Sequence, residues 1–116
     1  MSIGSILCVE DDSSWRRILK RTLTREICQE VDLAENYETS LKVIEQNKYD
    51  LIILDGLNGD CFRLYEKIKG VHKGDTVIFS GDSLLGLGRK AENLGILYFE
   101  KPDGLDKIIE MYKKKE

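Results

Sequence analysis

Histidine is nearly missing and cysteine is sparse. The 116 residues hold one histidine, His72, and three cysteines, Cys8, Cys28 and Cys61. No CxxC pair occurs, and His72 has no ligand-like spacing to any of the three, so ligand supply argues against a zinc site. An odd cysteine count without pattern fits a reducing compartment and not a disulfide framework. Cys8 stands inside an apolar run and reads as a buried thiol. A surplus of positive charge is also lacking: 18 Lys and Arg against 21 Asp and Glu give a net charge of −3, so no direct nucleic-acid contact is expected. No apolar run approaches a membrane span, and Met1-Ser2-Ile3-Gly4-Ser5 has no cationic segment of the signal-peptide kind. A cytoplasmic chain with no membrane contact is expected. Repeats, low-complexity tracts and linkers are absent, which leaves one domain over 1–116. A chain of this length can bury a core without staples.

What is present alternates. Four short apolar runs, Ile6-Leu7-Cys8-Val9, Leu51-Ile52-Ile53-Leu54, Val77-Ile78-Phe79 and Leu97-Tyr98-Phe99, are continuous. Continuous runs suit strands covered on both faces of a parallel sheet. The weaker run Val31-Asp32-Leu33-Ala34 fits an edge strand. Between them lie helical stripes: Trp15, Ile18, Leu19 and Leu23; Tyr37, Leu41 and Ile44; Cys61, Tyr65 and Ile68; Leu105, Ile108, Ile109 and Tyr112. Asp12, Asn36, Asp60 and Asp103 are of the residue types that cap helix starts. A fourth helix over 82–94 carries Leu84, Leu87, Ala91 and Leu94 on one face, but Gly86 and Gly88 inside it cost roughly 2 kcal/mol relative to alanine. It is expected to be the least stable helix. Five β-α units imply right-handed crossovers and an open α/β fold. The favoured architecture is a five-stranded doubly wound parallel sheet, order 2-1-3-4-5, flavodoxin-like.

In such sheets ligands bind beyond the carboxyl ends of the strands, where strand order reverses. Here that place lies between strands one and three, which end in Glu10-Asp11-Asp12 and in Asp55. Strand four ends in Ser80-Gly81 and strand five in Glu100-Lys101-Pro102. Singly, each residue has an ordinary reading: Asp12 caps a helix, Lys101 is a surface lysine. Together they are harder to explain by capping, because clustered carboxylates repel one another unless a cation sits among them. Mg²⁺, which takes oxygen ligands and keeps several waters, is the natural occupant.

Ile6-Leu7-Cys8-Val9-Glu10-Asp11-Asp12, Asp55 forty-four residues after Asp11, and Lys101-Pro102 with Tyr98 three residues earlier resemble the chemotaxis-type receiver domain of two-component response regulators. The resemblance covers the chain from Ile6 to about Lys115. It implies a phosphorelay protein in which Asp55 accepts a phosphoryl group from a histidine kinase or phosphotransfer protein. Mg²⁺ would be held by Asp11, Asp55, the backbone carbonyl of Leu57 and, through water, Glu10. Lys101 and Ser80 would pair with phosphoryl oxygens, and Ser80 and Tyr98 would be the switch. The chain would then be no turnover enzyme, although slow loss of its own phosphoryl group is compatible with that chemistry. The fourth helix, fifth strand and fifth helix would meet a downstream protein, as a monomer or a transient homodimer. With fifteen residues after Lys101, no output domain is expected in this chain, as a stand-alone receiver or an excised piece of a larger protein.

The stretch Asp55-Gly56-Leu57-Asn58-Gly59-Asp60-Cys61-Phe62 departs from that family: it is shorter than usual and lacks the customary proline. Gly56 and Gly59 are expected to let it turn in fewer residues, and the Leu57 carbonyl is the ligand most exposed to the change. A pseudo-receiver that docks without phosphate is therefore the alternative. A small Mg²⁺-dependent phosphohydrolase using Asp55 is the enzyme rival, but its Asp-x-Asp is missing. Two further matches are decoys. Gly81-Asp82-Ser83-Leu84 spells a hydrolase signature without the histidine base that it needs, and Gly86-Leu87-Gly88-Arg89-Lys90-Ala91 imitates a dinucleotide fingerprint six residues past its strand. Trp15, four residues after Asp11, reads as core packing and as a fluorescence reporter of the site.

Overall fold

The apolar runs form strands because each can bury both faces. In the computed structural model, which describes residues 3–81 and 86–113, the chain runs β1 (Ser5–Val9), α1 (Ser13–Glu26), β2 (Glu30–Ala34), α2 (Tyr37–Gln46), β3 (Leu51–Leu54), α3 (Asp60–Ile68), β4 (Asp75–Ser80), α4 (Leu87–Leu94), β5 (Leu97–Glu100) and α5 (Gly104–Tyr112). All strand pairings are parallel, in the order β2-β1-β3-β4-β5. This is the expected flavodoxin-like sheet.

Alternate residues of the central strands feed two cores. Ile6, Cys8, Leu51, Ile53, Val77 and Phe79 pack with Leu19 and Leu23 of α1 and Leu105 and Ile108 of α5. Leu7, Val9, Ile52, Leu54 and Ile78 pack with Ile44 of α2, Cys61, Leu64 and Ile68 of α3, and Leu87 and Ala91 of α4. The run Leu97-Tyr98-Phe99 departs from expectation: Leu97 is 49% exposed, and Tyr98 and Phe99 are half-buried. Among the described residues β5 is an edge strand with β4 as its one neighbour, and its faces are only partly covered. Ile18 and Leu94 also leave their expected stripes and face solvent.

Helix starts follow the capping chemistry in part. The Asp12 carboxylate accepts from the Ser14 and Trp15 amides, and the Asn36 side chain accepts from Thr39 N. Asp60 does not cap: it is the first helical residue of α3, behind Gly59 at φ 98°, and pairs with Arg63 at 3.4 Å. Asp103 occupies the N-cap position of α5, but its side chain makes no capping bond. The fourth helix is shorter than 82–94. It begins at Leu87 behind Gly86, which takes φ 66°, and it ends at Gly95, φ 76°. Gly86 is therefore a boundary residue, and only Gly88 lies inside, so the helix-interior penalty halves to about 1 kcal/mol. Asp82, Ser83 and Leu84 lie outside the described residues.

Candidate functional site

Glu10, Asp55 and Lys101 each follow directly after a strand, yet their backbones remain tied to the neighbouring strand. Glu10 N donates to Ala34 O at 2.9 Å, Asp55 N to Val9 O at 2.8 Å, and Lys101 N to Ser80 O at 3.0 Å. The sheet ladder runs one residue past its side-chain packing and fixes three side chains at one edge. Glu10 is buried, Asp55 is 12% exposed at its side chain, and Asp11, next to Glu10, is exposed. One carboxylate oxygen from each of Glu10, Asp11 and Asp55 lies within 4.8 Å of the others. The Lys101 ammonium donates to Glu10 Oε1 at 2.6 Å and to Asp55 Oδ1 at 2.8 Å. The Lys101–Pro102 peptide is cis.

Electrostatics follow from this crowding. Burial pushes the Glu10 carboxyl up to about 7; the hydrogen bond from Lys101 opposes the shift and the charge on Asp55 adds to it. Burial works against the Lys101 ammonium, but hydrogen bonds to Asp55 and Glu10 outweigh it and raise its pKa. A single ammonium thus serves two carboxylates while a third stands beside them. Glu10 is held further at side chain and backbone: Asp12 N donates to Glu10 Oε2 at 3.2 Å, and Arg16 Nη1 to Glu10 O at 2.8 Å. The donor set is all carboxylate oxygen, two groups recessed and one open to water, which fits a hard divalent cation retaining part of its water shell.

The turn after Asp55 is built unusually. Leu57 and Asn58, neither of them glycine, adopt φ 49° and 56°, and Gly59 follows at 98°. Asp55 Oδ2 accepts from Leu57 N at 3.1 Å, and the Leu57 carbonyl accepts from Asp60 N. Left-handed backbone at a residue such as leucine is costly and persists where its surroundings enforce it. Gly59 supplies the expected freedom, but Gly56 does not: it is in right-handed helical conformation (φ −60°, ψ −29°). Gly56 is required for space. A Cβ there would stand 2.7 Å from Ser80 Oγ and 2.6 Å from Leu87 Cδ1. The register explains the contact, since Leu54 pairs with Ile78 and two further residues bring Gly56 level with Ser80.

Ser80 is buried, and its carbonyl receives the Tyr98 hydroxyl at 3.4 Å. The half-buried Tyr98 ring lies over Gly88, where a Cβ would come 3.4 Å from Tyr98 Cδ1 and Cε1. Glu10, Asp11, Asp55 and Lys101 thus meet at one edge of the sheet, Ser80 stands beside Gly56 next to Asp55, and Tyr98 lies on β5 three residues before Lys101. His72, the base required by the hydrolase signature, is elsewhere: its Nε2 lies 3.0 Å from Asp75 O, at the amino end of β4. A pocket of 330 Å³ at that opposite end, lined by Ile44, Tyr49, Val71 and Lys73 among others, contains none of the clustered carboxylates. No sequence pattern marks the seat of Ser80 on Gly56. The rings near Lys101 are as little marked: Trp15 and Phe79 stand 5.1 and 5.7 Å from its Nζ. Only the position of Trp15 near the acids hinted at the second.

A profile of the response regulator receiver domain matches residues 6–113, and the chain belongs to that family. A two-component response regulator from Clostridium difficile is 30% identical, with 93% of this chain and 91% of that chain covered and a TM-score of 0.78. The response regulator TrrA from Thermotoga maritima, solved in complex with Mg²⁺ and BeF, is 28% identical over 93% of this chain and 95% of that one, with a TM-score of 0.76. A CheY-like receiver domain from Methylobacillus flagellatus shares the fold at 23% identity and TM-score 0.78, over 95% of this chain and 98% of that one. No curated protein matches the chain. No helix among the described residues is long and apolar enough to cross a membrane.

Proposed function

We propose that this chain is a phosphoacceptor: Asp55 takes a phosphoryl group, in the presence of Mg²⁺, from the phosphohistidine of a partner kinase or phosphotransfer protein. The observation that carries the reading is the position of Asp55, with Lys101 Nζ at 2.8 Å and oxygens of Glu10 and Asp11 within 4.8 Å. An Asp55 oxygen attacks phosphorus, the bond from phosphorus to the donor nitrogen breaks, and the aspartyl phosphate forms. Glu10, Asp11 and Asp55 would hold the metal ion, with the Leu57 carbonyl as a further oxygen ligand. Bound there, the ion supplies positive charge against the incoming phosphoryl oxygens. Lys101 pairs with one of those oxygens and the Ser80 hydroxyl with another, both acting on charge that grows during transfer.

The response follows the contacts already described. Ser80 touches Gly56 next to Asp55, and its carbonyl holds the Tyr98 hydroxyl. A Ser80 drawn toward a phosphoryl group therefore disturbs Tyr98 and, through Leu87, the start of α4. The face of α4, β5 and α5 is the surface we assign to a downstream protein or a transient homodimer. Neither nucleic acid nor membrane has a role in this reading, which places the protein in the cytoplasm.

Incubation with acetyl phosphate and Mg²⁺, followed by intact mass, tests it. A single phosphoryl adduct, lost in Asp55→Asn, is expected. One observation favours a second reading: the left-handed turn at Leu57 and Asn58, with the Leu57 carbonyl engaged by Asp60 N. No adduct from any small donor or kinase would make the chain a pseudo-receiver that docks without phosphate. Steady phosphate release from many organic phosphates would make it a hydrolase. Gel filtration with and without beryllofluoride tests the dimer, and unchanged elution rejects it.

A further inference from the structure

The Lys101 ammonium has two kinds of neighbour. The first are Glu10 Oε1 and Asp55 Oδ1 at 2.6 and 2.8 Å. The second are two rings, with the Trp15 centroid 5.1 Å and the Phe79 centroid 5.7 Å from Nζ. The rings meet edge to face, 5.3 Å apart with planes at 87°. Trp15 comes from the first turn of α1, just after the acid pair, and Phe79 directly precedes Ser80 on β4. Two elements that carry residues of the site therefore also present an aromatic group to the same cation.

The two kinds of anchor respond differently to a metal ion. A divalent cation among Glu10, Asp11 and Asp55 competes with the ammonium for the same oxygens and repels it. The rings take no part in that competition. Their attraction for a cation within about 6 Å persists whatever the carboxylates bind, and it strengthens where water is excluded. Phe79 is fully buried, Trp15 half-buried, and the Lys101 side chain only 12% exposed, so water has limited access to these contacts.

We propose that Trp15 and Phe79 are positioning residues for Lys101: an aromatic shelf that keeps its ammonium at the mouth of the site when the carboxylates turn to a metal ion, so that Nζ stays within reach of phosphoryl oxygens. The purpose of the shelf rests on the phosphoacceptor reading, while the shelf itself is open to a separate measurement.

The test uses the full chain with Mg²⁺ and acetyl phosphate as probes, and the variants Trp15→Leu, Trp15→Phe, Lys101→Met and Trp15→Leu/Lys101→Met, each first shown by urea unfolding to be folded. Trp15→Leu is expected to slow adduct formation about 3- to 10-fold and Trp15→Phe less than about 3-fold, in line with the strength of cation–π contacts. In the Lys101→Met background, Trp15→Leu is expected to change nothing further. Equal slowing by leucine in both backgrounds, or by leucine and phenylalanine alike, overturns the proposal. If Trp15→Leu does not fold, Phe79→Leu takes its place in the same cycle.

Trp15 is the sole tryptophan, which gives a readout that needs no phosphorylation. Wild type and Lys101→Met are expected to differ in tryptophan emission both without metal and at saturating Mg²⁺, with saturation set by calorimetry. Spectra that coincide once Mg²⁺ is bound show that the ammonium leaves the shelf, and sink the proposal. Spectra that still differ in a protein that takes no phosphoryl group keep the shelf and discard the phosphoacceptor reading. Absence of Mg²⁺ binding discards both.

Discussion

The two sides of the sheet's carboxyl edge are built to different standards. On the β1–β3 side, Glu10 and Asp55 directly follow strands whose apolar residues are all buried, are held by the extended ladder, and share an ammonium at 2.6 and 2.8 Å. On the β4–β5 side, α4 has eight residues, sits between two left-handed glycines and has no side-chain cap, and it packs on an edge strand with Leu97 half in solvent. Packing is tight where the proposed reading needs groups held for chemistry, and loose where it needs the molecule to change shape. That division is what local-stability arguments expect of a switch, since elements that move come from the weakly packed end of a fold.

Mutations can break this comparison. Leu54→Ala, at a fully buried position next to Asp55, is expected to cost about 2–5 kcal/mol in urea unfolding. Leu94→Ala, at the exposed end of α4, should stay within about 0.5 kcal/mol. Similar costs at both positions would mean that the two sides are equally tight.

The pH dependence of stability sharpens it next. Glu10 has an ordinary pKa of 4.5 and is pushed to about 7 in the fold, so the folded state binds more protons between these values. The stability of the metal-free protein should therefore fall as pH rises from 4.5 to 7, by up to about 3 kcal/mol. Glu10→Gln should flatten this slope, and saturating Mg²⁺, which favours the charged form, should reduce it. Urea midpoints across the range decide.

Gly56→Ala joins the two sides, because the new methyl meets Ser80 Oγ and Leu87 Cδ1. Overpacking of this kind costs about 1–3 kcal/mol, and NMR shifts should appear at both Ser80 and the first turn of α4. Shifts confined to the loop would disprove the link. The smallest effect is expected from Gly88→Ala, where the gain of about 1 kcal/mol in helix propensity is offset by pressure on the Tyr98 ring. Near-neutral stability with a changed Tyr98 environment is the predicted result.

Much of the fold was legible because a parallel sheet writes itself as continuous apolar runs, and Leu51–Leu54 is a clear instance. The strand tips were legible because acids directly after such runs have few structural reasons to gather. Other features depend on contacts between distant segments. The expected order already put the fifth strand at an edge, but nothing local in Leu97-Tyr98-Phe99 tells how far its faces are covered. The role of Gly56 arises from a register between β3 and β4, and the left-handed turn fell on Leu57 and Asn58 instead of Gly56. Asp60 has the right chemistry for a cap, but the backbone entered the helix one residue earlier than that role requires. The fourth helix was shortened because Gly86 was used as a bend.

The ladder that continues to Glu10, Asp55 and Lys101 also sets a scale. Neighbouring strands lie about 4.8 Å apart by the length of a peptide hydrogen bond, and the distance from Glu10 to Asp55 inherits that repeat, whatever the loops beyond them do. The connection after Asp55 is therefore free to lose a residue without altering the gauge of the cation seat, whereas a one-residue insertion within Leu51–Leu54 would turn Asp55 to the wrong face.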